Sequence, residues 1–575
     1  MSKHNWQKFL LLGIISFTIG QTKTAIATPS PLQLVQLPNP IPPNQPQLPP
    51  LAPPIPQPSP LQPTPLPVPG MGDPRIEIPG TIRVERFEFE GNTAFSAEEL
   101  AEVTKDFVGK EITFGELLQA EAAVIQKYVE AGYLNSGAVI AANQNFPRNA
   151  AIIKIIIVEG GVEEIEIIGT ERLNSNYVSS RLELATKAPF NSQKLLEALQ
   201  LLQLDPLIDN ISAELQAGSR PEKSRLQVRV REASTFSFNV FADNNRSPSV
   251  GSFRRGVSFR EGNLLGLGDT AELSYANTDG SNEFNGSYTL PINAKNGTIR
   301  VAAGLSRTEV IEPPFDVLNI VGKSRSYELT YRQPVILTPS EEFALGLTFS
   351  RQETETTLDG EGFPLSLGAN DQGETRASVF RFFQEYVNRQ KLQVFAARSQ
   401  FSIGTKLFDA TQNNDAPDSR FFAWRGQAQY VRQLAPETLL IVRSDLQLSK
   451  SPLLSLEQIG LGGGTSVRGY RQDLLLNDNG FLASVEARIP ILRIREAKSL
   501  VQISPFIDFG IGWNHSSQTE NESNQLLGVG VGLLWQIEQR LNARLDWGIP
   551  LIKADSSDRT WQEQGIYFNI NYFPF

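Results

Sequence analysis

The chain has 575 residues, a formal net charge of −10, no Cys and 2 His. The missing Cys excludes disulfides, a thiol nucleophile and Cys-based metal sites. Because His4 and His515 are the only histidines, His-rich metal sites are excluded as well, and we expect no enzyme, no metal and no cofactor. The acidic balance and the scattered basic residues predict no nucleic-acid partner.

The first residues are typical of an export signal. Lys3 and Lys8 give a positive start before an apolar run from Phe9 to Ile19, and Ala25-Ile26-Ala27 fits the small-x-small cleavage pattern. The apolar run is short for a membrane-spanning helix. We therefore predict that residues 1–27 are a signal peptide, removed on export.

Residues 28–80 are rich in Pro, Gln and Leu. Proline has no N–H group and fixes φ, so such a tract cannot build a packed core. We expect a largely disordered linker. The alternative is a ligand for a Pro-binding groove.

Residues 81–160 predict a small α+β domain. Two capping boxes, Ser96 with Glu99 and Thr113 with Glu116, open its two helices. The predicted strands, in chain order, are Ile82–Phe89, Ala138–Ala142 and Ala151–Val158. The element order is therefore β-α-α-β-β.

Residues 161–232 predict a second domain with the same element order. Gly160-Gly161 is the natural joint between the two copies. The predicted elements are strands Val162–Ile168, Asn210–Gln216 and Ser224–Arg231 and helices near Asn176–Leu184 and Ser192–Gln203.

Residues 233–575 change to an alternation of period two. Phe343, Leu345 and Leu347, for example, alternate with Ala344 and Gly346. Sixteen such segments, each of about 10 residues, predict a closed antiparallel transmembrane β-barrel. A barrel of this width cannot fill its interior with side chains, so its apolar face must meet lipid. A soluble β-sandwich or repeat array is the alternative.

Predicted connections between these segments alternate in length. Short ones include Asn388-Arg389, Leu434–Glu437 and Glu538-Gln539, and long ones include Val310–Val321, Glu355–Gln372, Lys406–Asp418 and Ser449–Asp478. Short periplasmic turns and long outer loops are typical of outer-membrane barrels, which places both N-terminal domains in the periplasm.

Several motifs carry a family resemblance. Val84-x-x-Phe87-x-Phe89-x-Gly91-Asn92, with Ala131-Gly132-Tyr133 and Val158-Glu159-Gly160, resembles a POTRA domain, and Ile165-x-Ile167-x-Gly169 resembles its start more weakly. Two such domains before a sixteen-strand barrel, behind a Pro-rich stretch, resemble the two-partner secretion transporters of the ShlB/FhaC/HecB type in the Omp85 superfamily. The Pro-rich tract departs from family members that carry a helical plug.

The longest loop contains a Gly-rich run that ends in Val467, Arg468, Gly469 and Tyr470. No Lys follows as in a phosphate-binding loop, so we interpret the run as a sharp turn that approaches other backbone closely. Val467-Arg468-Gly469-Tyr470 matches the sixth-loop signature of the Omp85 superfamily, and Phe506-x-Asp508-x-Gly510 matches its strand motif. The resemblance implies that the loop folds into the lumen and that Arg468 pairs with Asp508. A loop Arg alone would be interpreted as a solvated charge.

The resemblance also implies the partners. These are a large secreted β-helical polypeptide, outer-membrane lipid and, during biogenesis, the barrel-assembly machinery. Phe575, the last residue of an alternating strand, resembles the C-terminal signal read by that machinery. The expected activity is capture of an unfolded exported polypeptide by the POTRA domains and its secretion through the lumen without ATP.

Three alternatives stay open at this point. The first is an Omp85 insertase, which more POTRA domains would favour. The second is a passive porin or solute channel, against which the POTRA-like domains argue. The third is an exported enzyme on a barrel, which the scarcity of His and Cys disfavours.

Overall fold

A computed structural model describes residues 80–142, 144, 150–220, 222–414, 417–515, 524–554 and 560–574. The predicted signal peptide, all but the last residue of the predicted linker, and Phe575 lie outside these ranges. No helix in the described ranges has the length and apolar character needed to cross a membrane.

The first domain is an α+β fold around a mixed sheet. Its elements are β1 (Thr81–Glu90), α1 (Ala97–Thr104), β2 (Glu111–Thr113), α2 (Phe114–Glu130), β3 (Gly137–Ile140) and β4 (Ala151–Val158). The sheet order is β2-β1-β4-β3, with β1 parallel to β4. Both predicted capping boxes are present, at the start of α1 and of α2. The three-residue strand β2 was not predicted.

The second domain has the predicted order without a counterpart of β2. Its elements are β5 (Gly161–Ile168), α3 (Ser175–Thr186), α4 (Ser192–Gln203), β6 (Ile208–Ala217) and β7 (Lys223–Glu232). They form a three-stranded sheet of order β5-β7-β6. Each domain packs its helices on its sheet around its own apolar core.

One contact recurs in both domains and marks them as structural copies. Gly91 and Gly169 follow the first strand of each domain with φ of +88° and +93°. A Cβ on either glycine would lie 2.4 Å from a carbonyl oxygen of the last strand, on Ile157 and Val230 respectively. Both positions therefore need glycine for the same reason.

A carboxylate just after or at the end of the last strand closes each copy. Glu159 accepts hydrogen bonds from the backbone N–H groups of Thr93 and Ala94, each 2.7 Å, and from Tyr128 Oη at 3.0 Å. The Glu232 carboxylate likewise accepts hydrogen bonds from the backbone N–H groups of residues 171–173. Burial alone would raise the pKa of Glu159, but these hydrogen bonds outweigh it and lower that pKa.

The barrel follows directly. Its strands are β8 (Phe236–Asp243), β9 (Arg254–Gly262), β10 (Thr270–Thr278), β11 (Ser281–Pro291), β12 (Thr298–Glu309), β13 (Ile320–Leu337), β14 (Glu341–Leu358), β16 (Glu374–Gln390), β17 (Gln393–Thr405), β18 (Phe422–Ala435), β19 (Thr438–Ser449), β22 (Asn479–Ile494), β23 (Ser499–Trp513), β24 (Gln525–Ile537), β25 (Leu541–Pro550) and β26 (Ile566–Tyr572). Three short strands lie in connections: β15 (Glu361–Gly362), β20 (Ile459–Leu461) and β21 (Leu475–Asn477). Each wall strand pairs antiparallel with its neighbour and β26 pairs with β8, which confirms a closed barrel of sixteen strands.

The two faces of the wall differ as the alternation predicts. Leu273, Leu305 and Leu347 are 65%, 53% and 47% exposed on the outside. Ala344, Thr348 and Ser350, which alternate with such residues, are buried on the inner face. Because exposed apolar side chains cover the outside, the wall has the outer surface of a transmembrane barrel.

The second domain docks on turns at one end of the barrel. Arg172 Nη2 donates to Glu261 Oε1 at 2.8 Å, and Asn174 N donates to the carbonyl of Gly266 at 2.9 Å. Arg181 Nε donates to Asn296 Oδ1 at 2.8 Å. Glu261 lies at the end of β9, and Gly266 and Asn296 lie in the turns after β9 and after β11, so the domain is attached to one side of the barrel mouth.

The long connections lie at the opposite end of the barrel from the domains. Those predicted near residues 310–321, 406–418 and 449–478 join β12 to β13, β17 to β18 and β19 to β22. The turn predicted at Asn388-Arg389 is misplaced, because both residues pair within β16 and the turn is Lys391-Leu392. Because polar residues occur both in turns and at the ends of paired strands, they do not show where the pairing of β16 with β17 ends.

We predict that Glu159→Gln speeds amide hydrogen exchange at Thr93 and Ala94 in the full chain. The substitution weakens charge-assisted hydrogen bonds, so local opening should become easier by about 1 kcal/mol or more. Because the folded-state pKa of Glu159 is lowered, this protection is present above the ordinary carboxyl pKa and is lost as the pH falls through the folded-state value. Exchange measured by mass spectrometry over acidic pH tests this, with exposed Glu85→Gln as control. Equal exchange in both variants would contradict it.

Candidate functional site

The long loop between β19 and β22, residues 450–478, folds into the barrel. Its strands β20 and β21 pair as a ribbon, and its tip carries Val467, Arg468 and Tyr470, which are only 0%, 1% and 4% exposed. A loop on the outer surface would expose such a tip to solvent. This loop instead packs against the inner faces of β22 to β26.

Arg468 and Asp508 form a buried two-point ion pair. Arg468 Nε donates to Asp508 Oδ2 at 2.7 Å and Nη2 donates to Oδ1 at 2.9 Å. The Arg468 backbone N–H adds a third bond, to Oδ2 at 3.1 Å, and Ser484 Oγ donates to Oδ1 at 2.6 Å. Both side chains are at most 1% exposed, so each charge depends on the other.

The other residues of the two predicted motifs complete this contact. The Phe506 ring lies under the guanidinium, with Arg468 Cζ 3.3 Å from the ring centroid, a cation–π geometry. A Cβ on Gly510 would lie 2.8 Å from Val467 Cγ2. Phe506, Asp508 and Gly510 thus share the lumen face of β23. This face combines an aromatic ring, a carboxylate and a glycine because the loop tip packs on it.

Tyrosine hydroxyls fix the backbone around Gly469. Gly469 N donates to Tyr567 Oη at 2.9 Å, and Tyr567 Oη donates to the Tyr470 carbonyl at 2.6 Å. Tyr470 Oη in turn accepts from Leu527 N at 3.1 Å. The tip is therefore attached to β23, β24 and β26.

Further charges extend the network beyond the predicted pair. Glu486 on β22 accepts from Arg468 Nη1 at 2.9 Å and from Arg544 Nη2 at 2.7 Å. Arg544 also binds Asp546, with Nη2 2.9 Å from Oδ1. Sequence reasoning missed Glu486, Arg544 and Tyr567. The sequence feature that could have indicated these three residues is that each is a charged or aromatic residue on the polar face of its strand.

A second buried ion pair holds the same loop nearer its start. Glu457 accepts from Arg381 Nη1 at 2.9 Å and from Arg381 Nη2 at 2.7 Å, and the two side chains are 7% and 11% exposed. Arg381 lies on β16, away from the β23 contact of the tip. The Glu457 carbonyl also accepts from Gln447 Nε2 at 2.9 Å. The loop is therefore clamped at two separate points of the wall.

The predicted C-terminal signal residue, Phe575, lies outside the described residues. All seven residues of the two predicted lumen motifs are described, and the structure brings them together at one place on the wall.

Comparison with known proteins identifies the family. The family model for the haemolysin secretion/activation protein ShlB/FhaC/HecB matches residues 222–534, more than half of the chain. The chain belongs to that family. A second model, the POTRA domain of ShlB type, matches residues 82–160 of this ShlB/FhaC/HecB-family protein.

Two named relatives are distant in sequence, but the similarity to each covers most of both chains. The heme/hemopexin transporter protein HuxB of Haemophilus influenzae (strain 86-028NP) is 23% identical over 466 residues, which cover 77% of this chain and 78% of the relative. The outer membrane transporter CdiB of Dickeya dadantii (strain 3937) is 21% identical over 470 residues, 78% of this chain and 79% of that one.

Solved structures share the fold. CdiB from Escherichia coli has a TM-score of 0.68 at 18% identity and covers 90% of this chain and 94% of that chain. BamA from Haemophilus ducreyi lacking POTRA domains 1–3 has a TM-score of 0.50 at 14% identity, over 86% of this chain and 100% of that chain. At these identities the similarity shows the fold alone.

We predict that Arg468→Ala and Asp508→Ala each loosen the loop in this family member. Each variant leaves the other charge buried without its main partner, which costs roughly 3–5 kcal/mol. Trypsin should then cleave after Arg471, and single-channel current in planar bilayers should fluctuate more than in the wild type. Arg307→Ala, at an exposed arginine of β12, should behave as the wild type does. Unchanged cleavage and current in both lumen variants would contradict the role of the pair.

For the second clamp we predict recovery by charge exchange. Arg381→Glu or Glu457→Arg alone places like charges together in a buried site and should lower the temperature at which the barrel loses its folded mobility in gels. The double variant should recover part of that loss. Arg300→Glu, at an ion pair whose side chains are 42% and 30% exposed, should have a small effect. A double variant no more stable than the singles would argue against direct pairing.

Proposed function

We propose that this protein is the outer-membrane transporter of a two-partner secretion system. In this proposal, residues 81–160 and 161–232 are two periplasmic POTRA domains, and residues 233–575 are the conduit. The domains capture an unfolded exported polypeptide, which crosses the lumen without ATP and folds outside. The buried Arg468–Asp508 contact is the observation that supports it most, because it joins the two motifs by which the chain resembles this family.

Open sheet edges support the capture step. In the first domain, β2 covers the outer edge of β1. In the second domain no described strand pairs with the outer edge of β5 or of β6, which span 8 and 10 residues. An extended polypeptide can add to such an edge through main-chain hydrogen bonds, which do not depend on its sequence.

The names of the relatives agree with transport as the activity. HuxB is named a heme/hemopexin transporter protein and CdiB an outer membrane transporter. For this chain we propose a large secreted protein as the transported partner. We further propose that outer-membrane lipid surrounds the barrel and that the barrel-assembly machinery inserts it.

Removal of the gene tests this proposal. We expect one large polypeptide to disappear from the medium and to be restored by the wild-type gene, but not by a gene that lacks residues 81–160. The other outer-membrane barrels should keep their abundance. Loss of many barrels would instead indicate an insertase, and loss of small-solute uptake alone would indicate a porin.

Transport without nucleotide is a separate expectation. The polypeptide identified in the medium, presented unfolded to proteoliposomes that contain the purified transporter, should become protected from added protease in the absence of ATP. Protection that requires ATP would refute this part of the proposal.

A further inference from the structure

The inner wall of the barrel is divided into two unlike halves. The packed half is the inner face of β16–β19 and β22–β26, where the loop 450–478 is clamped. Charged and polar side chains of this half are buried: Glu385, Gln400, Arg425 and Asp445 are 6%, 4%, 6% and 9% exposed. Neighbouring side chains therefore cover these groups.

The open half is the inner face of β8–β13, with Gln352 of β14 at its edge. It lines a cavity of about 730 Å³. Small side chains dominate its surface, among them Ser258, Ser274, Ser287, Ala302, Gly304 and Ser326. Its charges occur as opposed neighbours: Arg260 lies 3.6 Å from Glu272 and Arg300 lies 3.8 Å from Glu328. The surface is polar, with opposite charges side by side.

The second domain leads to this half and not to the packed half. A smaller cavity of about 390 Å³ lies between Tyr177, Arg181 and Asp205 of that domain and the barrel strands. Ser237 and Arg260 line both this cavity and the larger one. The two cavities therefore adjoin, and together they run from the second domain into the open half.

We propose that the permeation path follows the open half while the loop stays clamped to the packed half. This inference rests on the proposed function and specifies where the polypeptide would pass. Releasing the loop would uncover the buried charges of two ion pairs, whereas the open half needs no such rearrangement.

The occupant that fits this path is a single extended polypeptide. A cavity of about 730 Å³ is too small for a folded domain. Serine hydroxyls along the wall can exchange hydrogen bonds with a passing backbone. Neighbouring charges of opposite sign hold neither an acidic nor a basic segment strongly, so the wall allows a chain of mixed composition to pass.

The first experiment locks the loop in place. The chain has no Cys, so Val467→Cys with Gly510→Cys introduces one possible disulfide. A Cβ on Gly510 would lie 2.8 Å from Val467 Cγ2, so side chains at the two positions are in direct contact, as a disulfide between them requires. Potassium current through the full-length protein is then recorded in planar bilayers, oxidised and after reduction, beside both single-Cys variants.

We expect the same current with the loop locked and with it free. A current that vanishes on oxidation and returns on reduction would overturn the proposal, since the loop would then have to move. Absence of current in every form, the wild type included, would overturn it too, because the open half would not be continuous.

The second experiment locates the path without the engineered disulfide. Single Cys residues at Ser274, Ala302 and Ser326 sample the open half, and Gln400→Cys and Ser402→Cys sample the packed half. A cationic methanethiosulfonate reagent should lower the current stepwise at the first three positions and leave it unchanged at the other two. The reverse pattern would overturn the proposal. Because neither measurement uses a polypeptide, a normal result here combined with failed secretion would reject the proposed function separately.

Discussion

A guanidinium group buried inside a wide barrel is the constraint around which this molecule is organised. Arg468 is 1% exposed and lies in a lumen that water would otherwise fill. Its charge can be kept there only if hydrogen-bond acceptors surround it. Asp508 and Glu486 supply carboxylates, and Phe506 supplies a ring face. These three side chains contact the guanidinium only because the loop packs on the inner face of their strands.

The same constraint explains the local composition of the wall. For the guanidinium to reach Asp508, the loop backbone must lie almost against the strands. A Cβ on Gly528 of β24 would lie 1.9 Å from the Arg468 carbonyl oxygen, so this position must lack a side chain. The Arg468–Asp508 pair therefore depends on glycine at position 528. The strands facing the loop combine small residues with buried charges, whereas those of the open half combine small residues with hydroxyls and exposed charge pairs.

The elements that depend on local chemistry could be predicted from the sequence. Period-two alternation located the wall strands, because the outer side of each strand is apolar and the inner side is mostly small or polar. The Ser96 and Thr113 capping boxes located α1 and α2. Strand β2 was missed because three residues are too few to show alternation, and it exists only through its pairing with β1. The turn after β16 was misplaced because pairing extends beyond the apolar positions.

The site itself was only partly accessible to such reasoning. Alternation marks a loop at residues 449–478 but does not say on which side of the wall it lies. The pairing of Arg468 with Asp508 followed from resemblance to a family, since the two residues are 40 positions apart. The Glu457–Arg381 pair joins residues 76 positions apart and carries no motif that would have indicated it. Contacts of this kind are set by barrel closure, which brings strands of distant sequence round one lumen.

Clamping at two points has a mechanical consequence that a single ion pair would not have. A loop held only at its tip could swing about that contact and sweep across the lumen. With Glu457 bound to β16 and Arg468 bound to β23, the segment between them is held at both ends. Because the second domain docks on β9–β12 turns, it lies at the mouth of the half that the loop leaves free. The loop is therefore held against one part of the wall, and the second domain is attached at the mouth of the other part.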